Sequence, residues 1–380
     1  MHCRQYLVLL ASLVLSSYAF NGNHRVLRAR PSLQASVWFS DPERIKDRSH
    51  VLAAPSIESA LQQDSSRFIL SCKGTVCAQS TADGETVRGL FFSCATSPAV
   101  WWNDELTEVA WIGQKSGRDF FVLDISDWDD AEKLLANLGD ACDDGQIFVR
   151  APVREYGDRM VSSEEAALYA TANGLALFHR SHPFCSKCGN PTVAAKAGGC
   201  RRCTSATCKT SVYPRIDSAA IMLVTSACGE FALLGRKRVW PTGRWSTLAG
   251  FAEVGETLEE CVVREVFEEA GVCTDLSSVQ FVASQPWPFP RSLMVGFVVK
   301  ALAADSSKES PVLPSINVDT NELEDVQWFS REYVRQRLES ATLPSSSDSG
   351  LVVDDPKFNI PGPASLARVL ISTWAFESSE

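Results

Sequence analysis

Residues 250–272 read GFAEVGETLEECVVREVFEEAGV, a glycine-punctuated loop running into a helix. Leu258, Val262, Val266 and Ala270 recur at helical spacing and form a core-facing stripe. Glu265, Glu268 and Glu269 are spaced i, i+3, i+4, so three carboxylates project from one helical face. Charges that close repel, and a helix alone disfavours them; a bound hard cation such as Mg²⁺ or Mn²⁺ relieves the repulsion. Arg264 can pair with Glu256 or a neighbouring carboxylate and fix its rotamer. Gly250 and Gly255 let the loop carry backbone carbonyls up to a metal, and Gly271 ends the helix. A solvated acidic face is the bland alternative for any Glu-Glu pair. It does not account for G-x5-E-x7-R-E-U-x-E-E-x-G-U (U aliphatic) being matched at every fixed position.

The rest of the chain asks for such a cation. Its 380 residues carry a net charge of −10, and residues 1–40 hold Arg4, Arg25, Arg28 and Arg30 with no acid. With those four set aside, 32 basic residues face 46 acidic ones, a net charge of −14. A body that acidic has no general attraction for polyanions, so an anionic substrate needs local positive charge. Composition is ordinary for a globular protein, 45% hydrophobic and 22% charged, which excludes fibrous or wholly disordered classes. After the first twenty residues no apolar run is long enough to span a bilayer.

Residues 6–16 (YLVLLASLVLS) are an apolar core behind a short basic start, and Ser17-Tyr18-Ala19 supplies small residues for cleavage. This reads as a signal peptide over 1–19, against a buried N-terminal helix as the alternative. Residues 20–40 are Arg- and Ser-bearing and acid-free, which is transit-peptide composition. The pair resembles the two-part leader of algal complex plastids. The expected address is therefore a plastid, with secretion, the endoplasmic reticulum or the mitochondrion as alternatives and no membrane association once the leader is removed.

Five of the 13 cysteines, Cys185, Cys188, Cys200, Cys203 and Cys208, crowd into 24 residues, which reads as metal rather than cross-links. Cys185-x-x-Cys188-Gly189 is a knuckle that aims two thiolates at one point. A second group completes a tetrahedral four-thiolate zinc site, with no open position for chemistry. Its members are open at this level: Cys200-x-x-Cys203 has the commoner spacing, and Cys203-x4-Cys208 lies nearer the next domain. The scattered cysteines Cys72, Cys77, Cys94, Cys142, Cys228, Cys261 and Cys273 read as buried thiols, which fits a reducing compartment.

Residues 41–160 show strand-like runs at 67–72, 90–94, 108–113 and 119–126 with a helix near 129–138, a β-rich domain without a chemical motif. Trp101-Trp102 in it reads as core or interface. A helix over 162–180 opens with a capping box, Ser162 with Glu165, and leads into a ribbon ending near 215. A last domain, 216–380, contains a hairpin of 218–226 and 231–237 about Cys228-Gly229, the carboxylate helix, and strands at 279–284 and 293–301. Segments 304–320 and 342–357 read as mobile surface loops.

The 250–272 pattern is the Nudix box, and residues 216–380 resemble a Nudix hydrolase domain. That resemblance implies an α/β/α sandwich, an α/β (α+β) fold, and hydrolysis of a nucleoside diphosphate linked to another group. Shortly after the box stands SQPWPFPRSLM, 284–294. It resembles the signature of the zinc-ribbon-containing NADH pyrophosphatase family. The resemblance covers most of 160–380, since ANGLALFHRSHPFC (172–185) resembles that family's approach to its ribbon. The family's fourth cysteine precedes a Tyr-Pro pair by five residues, as Cys208 precedes Tyr213-Pro214, which favours Cys185, Cys188, Cys203 and Cys208 as the ligands of one structural Zn²⁺. Residues 41–160 match the family's N-terminal domain only weakly.

The resemblance further implies that Ala249 (by its carbonyl), Glu265, Glu269 and Glu322 hold catalytic Mg²⁺ or Mn²⁺. Arg264, Glu256 and Glu268 complete the catalytic set. Tyr213, Ala367 and the run Gln285, Pro286, Trp287, Pro288, Phe289, Pro290, Arg291 and Ser292 become substrate contacts, with Trp287 and Phe289 as flat faces for adenine or nicotinamide. The implied reaction splits NADH or NAD⁺ into AMP and nicotinamide mononucleotide. The alternatives are removal of an NAD cap from RNA, a Nudix reaction on another nucleoside diphosphate derivative, and a non-enzymatic zinc-ribbon module with a vestigial site. The intact Glu265, Glu268, Glu269 and Arg264 speak against the last. A homodimer is compatible with this reading and not implied by it.

Overall fold

The computed structural model describes residues 63–93, 108–136, 145–303, 312–340, 358–362 and 364–377, together with residues 41, 43, 44, 138, 142 and 143. The expected leader, Cys94, Trp101-Trp102 and the loop 342–357 lie outside the described residues.

The N-terminal sheet is built from β1 (Arg67–Cys72), β2 (Thr75–Thr81), β3 (Val87–Gly89), β4 (Glu108–Lys115) and β5 (Arg118–Asp124) in the order β3-β2-β1-β5-β4. Helix α1 (Ala131–Ala136) follows, and β6 (Gln146–Ala151) pairs with β2. The short α2 (Val153–Tyr156) leads to α3 (Ser163–Ser181). Alternate residues of β1 show why this sheet is covered on both faces. Ile69 joins α3 residues Ala166, Tyr169 and Ala176 in one core, while Phe68 and Leu70 join α1 residues Ala131 and Leu135 in the other. The domain is β-rich as expected, but α3 completes its core rather than belonging with the ribbon.

Two local readings are corrected. Residues 90–93 form no strand; Phe92 makes an isolated bridge to Phe68, and the paired strands are β2 and β3. The α3 capping box is half made. Ser162 Oγ accepts from the Glu165 N–H at 3.2 Å, but the Glu165 carboxylate turns away and accepts from the Gly89 N–H at 2.6 Å. A tertiary donor from a strand end has outcompeted the local one.

The ribbon is a three-stranded sheet of β7 (Thr192–Ala195), β8 (Cys200–Cys203) and β9 (Ser211–Val212). Its β7–β8 turn seats on the edge of β4. The Trp111 N–H donates to Ala197 O at 3.0 Å, and a Cβ on Gly198 would lie 2.4 Å from Ala110 Cα. Buried Arg201 fastens the junction, donating to Glu108 Oε1 at 2.6 Å and to both oxygens of Thr192.

The C-terminal sheet contains β10 (Asp217–Thr225), β11 (Phe231–Arg236), β12 (Leu248–Phe251), then after helix α4 (Leu258–Ala270), β13 (Gln280–Trp287), β14 (Ser292–Lys300) and β15 (Asp325–Ser330). Helices α5 (Arg331–Ser340) and α6 (Leu366–Phe376) close the chain. Strand order is β13-β14-β10-β11-β15, with β12 also on β10. Along β10, Ala220, Met222 and Val224 pack with α4, while Ile221 and Leu223 pack with α5 and α6. Apolar residues on both faces of one strand require two covering layers, so this is the expected α/β/α sandwich.

The segment 312–320 is not a free loop. Ile316 and Val318 pack on the α4 core, and the Asn317 and Asp319 N–H groups donate to the last carbonyls of α4, Ala270 O and Glu269 O. Those carbonyls have no partner within the helix, so the polar stretch is held by its backbone. Of the scattered cysteines, Cys72, Cys77 and Cys261 are buried thiols, Cys142 is half-buried and Cys228 is exposed. Cys273 is disulfide-bonded, not free. Among the described residues no helix is long and apolar enough to cross a membrane.

Candidate active site and metal centre

Helix α4 is started and stopped by its own sequence. Thr257 and Glu260 form a reciprocal capping box, and Gly271 ends the helix at φ 67°. Each of those caps contributes roughly 1 kcal/mol, and Gly271 has a second reason to be glycine, since a Cβ there would sit 2.7 Å from Asn317 Cβ. Val262, Val266 and Cys261 are fully buried beneath it, each aliphatic side chain contributing about 1.5–3 kcal/mol. The carboxylates are thus displayed on a helix whose rotation is set by its core face.

Glu265 lies over the β12 backbone. A Cβ on Gly250 would fall 1.9 Å from Glu265 Cδ, so only glycine admits the carboxylate here. Arg264 organises the rest. It grips Glu256 with two hydrogen bonds of 2.7 and 2.9 Å, donates to Glu265 Oε1 and Glu268 Oε2 at 2.8 Å each, and reaches Phe251 O at 2.9 Å. Glu256 is held below the usual carboxylate range by that guanidinium, and Arg264 is raised by its carboxylates.

Glu269 is left outside this network. It is 2% exposed, takes a hydrogen bond from the Ala249 backbone, and its Oε2 has no partner. Burial first, then repulsion from Glu265, pushes its pKa up to about 8. Burial also raises Glu265. Glu322, exposed on the turn before β15, is close enough to raise both. Glu265, Glu269 and Glu322 thus act on one another electrostatically beside the Ala249 backbone, while the Arg264 guanidinium is turned to Glu256, Glu265 and Glu268 and a buried Glu269 oxygen has no hydrogen-bond partner. That donor set fits a hard divalent cation. Lys237 is a neighbour that the sequence reading missed; its charge acts on Glu269. The available signal was the acid-free stretch 231–252, which carries Arg236, Lys237, Arg238 and Arg244.

A pH test follows. Glutamate in an unfolded chain titrates near ~4.3, below the folded value of about 8. Without a divalent cation, the folded state binds more protons at Glu269 than the unfolded chain across that window, so stability falls as pH rises through it. Urea melts in Mg²⁺-free buffer should show Glu269→Gln gaining on the wild type between pH 5 and 9, by up to roughly 4 kcal/mol. Parallel profiles would remove Glu269 as the strained group.

The QPWPFP segment is the end of β13 and the turn into β14, and its residues divide. Trp287 is half-buried and Phe289 meets it edge-on, centroids 5.1 Å apart at 90°. Phe289 is no open stacking face, because its ring packs against the N-terminal core. Gln285 is not a free donor either; it is buried, donating to Ala364 O at 2.8 Å and accepting the Leu366 N–H at 2.9 Å. It ties the start of α6 to β13. Ser292 and Pro288 are buried, Pro286 and Arg291 half-buried, and Pro290 exposed. Ala367 sits inside the α6 core and offers no surface, an outcome illegible in advance because a helical alanine looks alike on either face. Tyr213 is exposed, its hydroxyl bonded by Lys196 Nζ at 2.8 Å.

This segment and the carboxylates share one end of the sheet. On β10, Asp217 pairs with Ser292 of β14 on one side, and Ala219 pairs with Phe251 of β12 on the other.

In the ribbon, the Sγ atoms of Cys185, Cys188, Cys203 and Cys208 all lie within 4.8 Å of one another. The pairs 185–208 and 188–203 are 3.8 and 3.4 Å apart. Zinc–sulfur bonds of ~2.3 Å at tetrahedral angles separate sulfurs by about 3.8 Å, so the cluster fits zinc. Hydrogen bonds from Asn190 lower Cys188 to about 6, which favours the thiolate. Cys200 is outside the cluster, fully buried with its Sγ 3.8 Å from Ala195 O.

Two family models match consecutive parts of the chain. Residues 214–346 match the NUDIX domain model and residues 180–213 the NADH pyrophosphatase zinc ribbon domain model. An Arabidopsis thaliana protein named Nudix hydrolase 19, chloroplastic, is 36% identical over 248 residues, 57% of this chain and 53% of that protein. Human NAD-capped RNA hydrolase NUDT12 is 36% identical over 220 residues, covering 56% of this chain and 42% of its own. NAD-capped RNA hydrolase NudC of Mycobacterium bovis is 37% identical over 217 residues, covering 57% and 63%. The match thus spans about half the length of these relatives. Residues 214–346 are thus a Nudix domain, and it follows, at 180–213, a zinc ribbon of the NADH pyrophosphatase type.

Proposed function

We propose that the protein hydrolyses the diphosphate of NADH or NAD⁺, giving AMP and nicotinamide mononucleotide. The observation that carries this reading is the placement of Trp287 and a cation-ready carboxylate face on the two sides of one end of β10. A dinucleotide needs that pair of features: charge neutralisation at its centre and an aromatic wall for a remote base. Glu265 and Glu269, with Glu322 and the Ala249 carbonyl, hold Mg²⁺ or Mn²⁺. Such a cation supplies Lewis-acid stabilisation of the diphosphate oxygens and lowers the pKa of a water. Arg264 fixes the Glu265 rotamer and spends its charge on Glu256 and Glu268. Lys237 adds positive charge beside Glu269. The ribbon zinc is structural.

Product chromatography with NADH, NAD⁺, ADP-ribose and NAD-capped RNA, with Mg²⁺ or Mn²⁺, tests the reading; absence of AMP and nicotinamide mononucleotide from NADH would refute it. The names of the human and mycobacterial relatives favour NAD-capped RNA as a second substrate of the same site. The acidic body argues against tight affinity for the RNA part, and a salt-steep Kd would argue for it. The name of the Arabidopsis relative supports plastid delivery by residues 1–40, which a fluorescent fusion of that leader would check.

Trp287 carries the selectivity. A stacked aromatic contact is worth about 0.5–1.5 kcal/mol beyond its burial, and remote contacts of this kind raise kcat/KM. Trp287→Ala should lower kcat/KM for NADH by about tenfold or more and for ADP-ribose by clearly less. Equal losses on both, with a lower melting temperature, would mean the segment is only structural.

A further inference from the structure

The segment that carries Trp287 is held from outside its own domain. Asn173, on α3 in the N-terminal core, is 5% exposed, and its Nδ2 donates to Pro288 O at 2.8 Å. The next residue, Gly174, borders Arg291: a Cβ there would lie 3.5 Å from Arg291 Cγ, an ordinary van der Waals contact. Phe289 packs on the core to which α3 belongs, and the Arg154 guanidinium of α2 lies 6.0 Å from its ring centroid. Phe289 in turn meets Trp287 edge-on.

From this chain of contacts we propose that Asn173 is a positioning residue for the 287–291 turn, so that the N-terminal domain sets the orientation of Trp287 and with it the selection of the remote base. The substrate half of this inference rests on the NAD(H) reading above; the structural half does not. The Pro288 carbonyl is buried and needs a donor. Asn173 is the donor, and no backbone group of the Nudix sheet replaces it, because Pro288 lies in the turn beyond the β13–β14 ladder. With the donor gone, the turn relaxes toward water and Phe289 loses its seat, leaving Trp287 without its edge-on support. The carboxylate face is built on α4 and β12 and is untouched.

Asn173→Asp tests this with almost no change of volume, since it replaces the amide donor by an acceptor facing an acceptor. Asn173→Ala removes the side chain, and Arg154→Ala, on an exposed residue, perturbs Phe289 without risk to the core. In 5-fluorotryptophan-labelled full-length protein, the Trp287 resonance, assigned by its loss in Trp287→Phe, should shift or broaden in all three variants, while those of Trp245 and Trp374 stay. For NADH, KM should rise about tenfold in Asn173→Asp with kcat within about threefold. For ADP-ribose both constants should move less than threefold. An unchanged Trp287 resonance in folded Asn173→Asp overturns the positioning role whatever the substrate is. A shifted resonance with equal losses on NADH and ADP-ribose overturns the link to base selection. If wild-type protein leaves NADH intact, the functional reading fails, and the resonance still decides the positioning of Trp287.

Discussion

Glu265→Gln should lose about 10³-fold or more in kcat while KM moves by little. The side chain keeps its size, so it still fits above Gly250, where a Cβ would fall 1.9 Å from Glu265 Cδ. The amide can no longer offer a full negative charge to a cation, and its NH₂ group faces the Arg264 guanidinium that donated to Oε1 at 2.8 Å. Charge that develops on the diphosphate in the transition state then goes uncompensated, which acts on kcat more than on binding. Steady-state kinetics on the purified variant, with a melting curve to show that it is folded, check this. Activity within about threefold of wild type would mean that α4 is not the active site.

The contrast between what could be read from sequence and what could not follows from the range of the forces. The α4 carboxylate face, its stop at Gly271 and its core stripe are local, and each was legible because spacing along one helix fixes which side chains share a face. The Arg264–Glu256 pair was legible for the same reason, since the partners are only eight positions apart. Choices decided by distant groups were not. Glu165 prefers the Gly89 N–H to its own helix cap. Gln285 and Phe289 look like ligand contacts in a Pro-rich motif, yet one closes the start of α6 and the other seals the N-terminal core. In each case the competing partner is 75 or more residues away, or in another domain, and no local pattern encodes it. The segment 312–320 erred in the opposite direction. Its polar side chains read as mobile, while its backbone is held by the unpaired carbonyls at the end of α4.

The largest stability effect belongs to the ribbon. One tightly bound zinc per chain is expected, lost in Cys188→Ser together with a marked fall in melting temperature. The ribbon has three short strands, the last only two residues long, and little apolar interior of its own, so metal binding supplies most of its folding free energy; in small zinc modules that term is on the order of 10 kcal/mol. The consequence reaches beyond the ribbon, because its β7–β8 turn and Arg201 are seated on β4 of the N-terminal sheet. Cys200→Ser supplies the contrast. Cys200 lies in the same strand as Cys203, but its sulfur packs against Ala195 O, outside the four-sulfur cluster. That variant should keep its zinc and lose only about 1 kcal/mol, the scale of a buried thiol made polar. Zinc content by mass spectrometry or a chromogenic chelator, read beside the melting curves, separates the two. Metal lost from Cys200→Ser and retained in Cys208→Ser would show that the ribbon closes on the other pair.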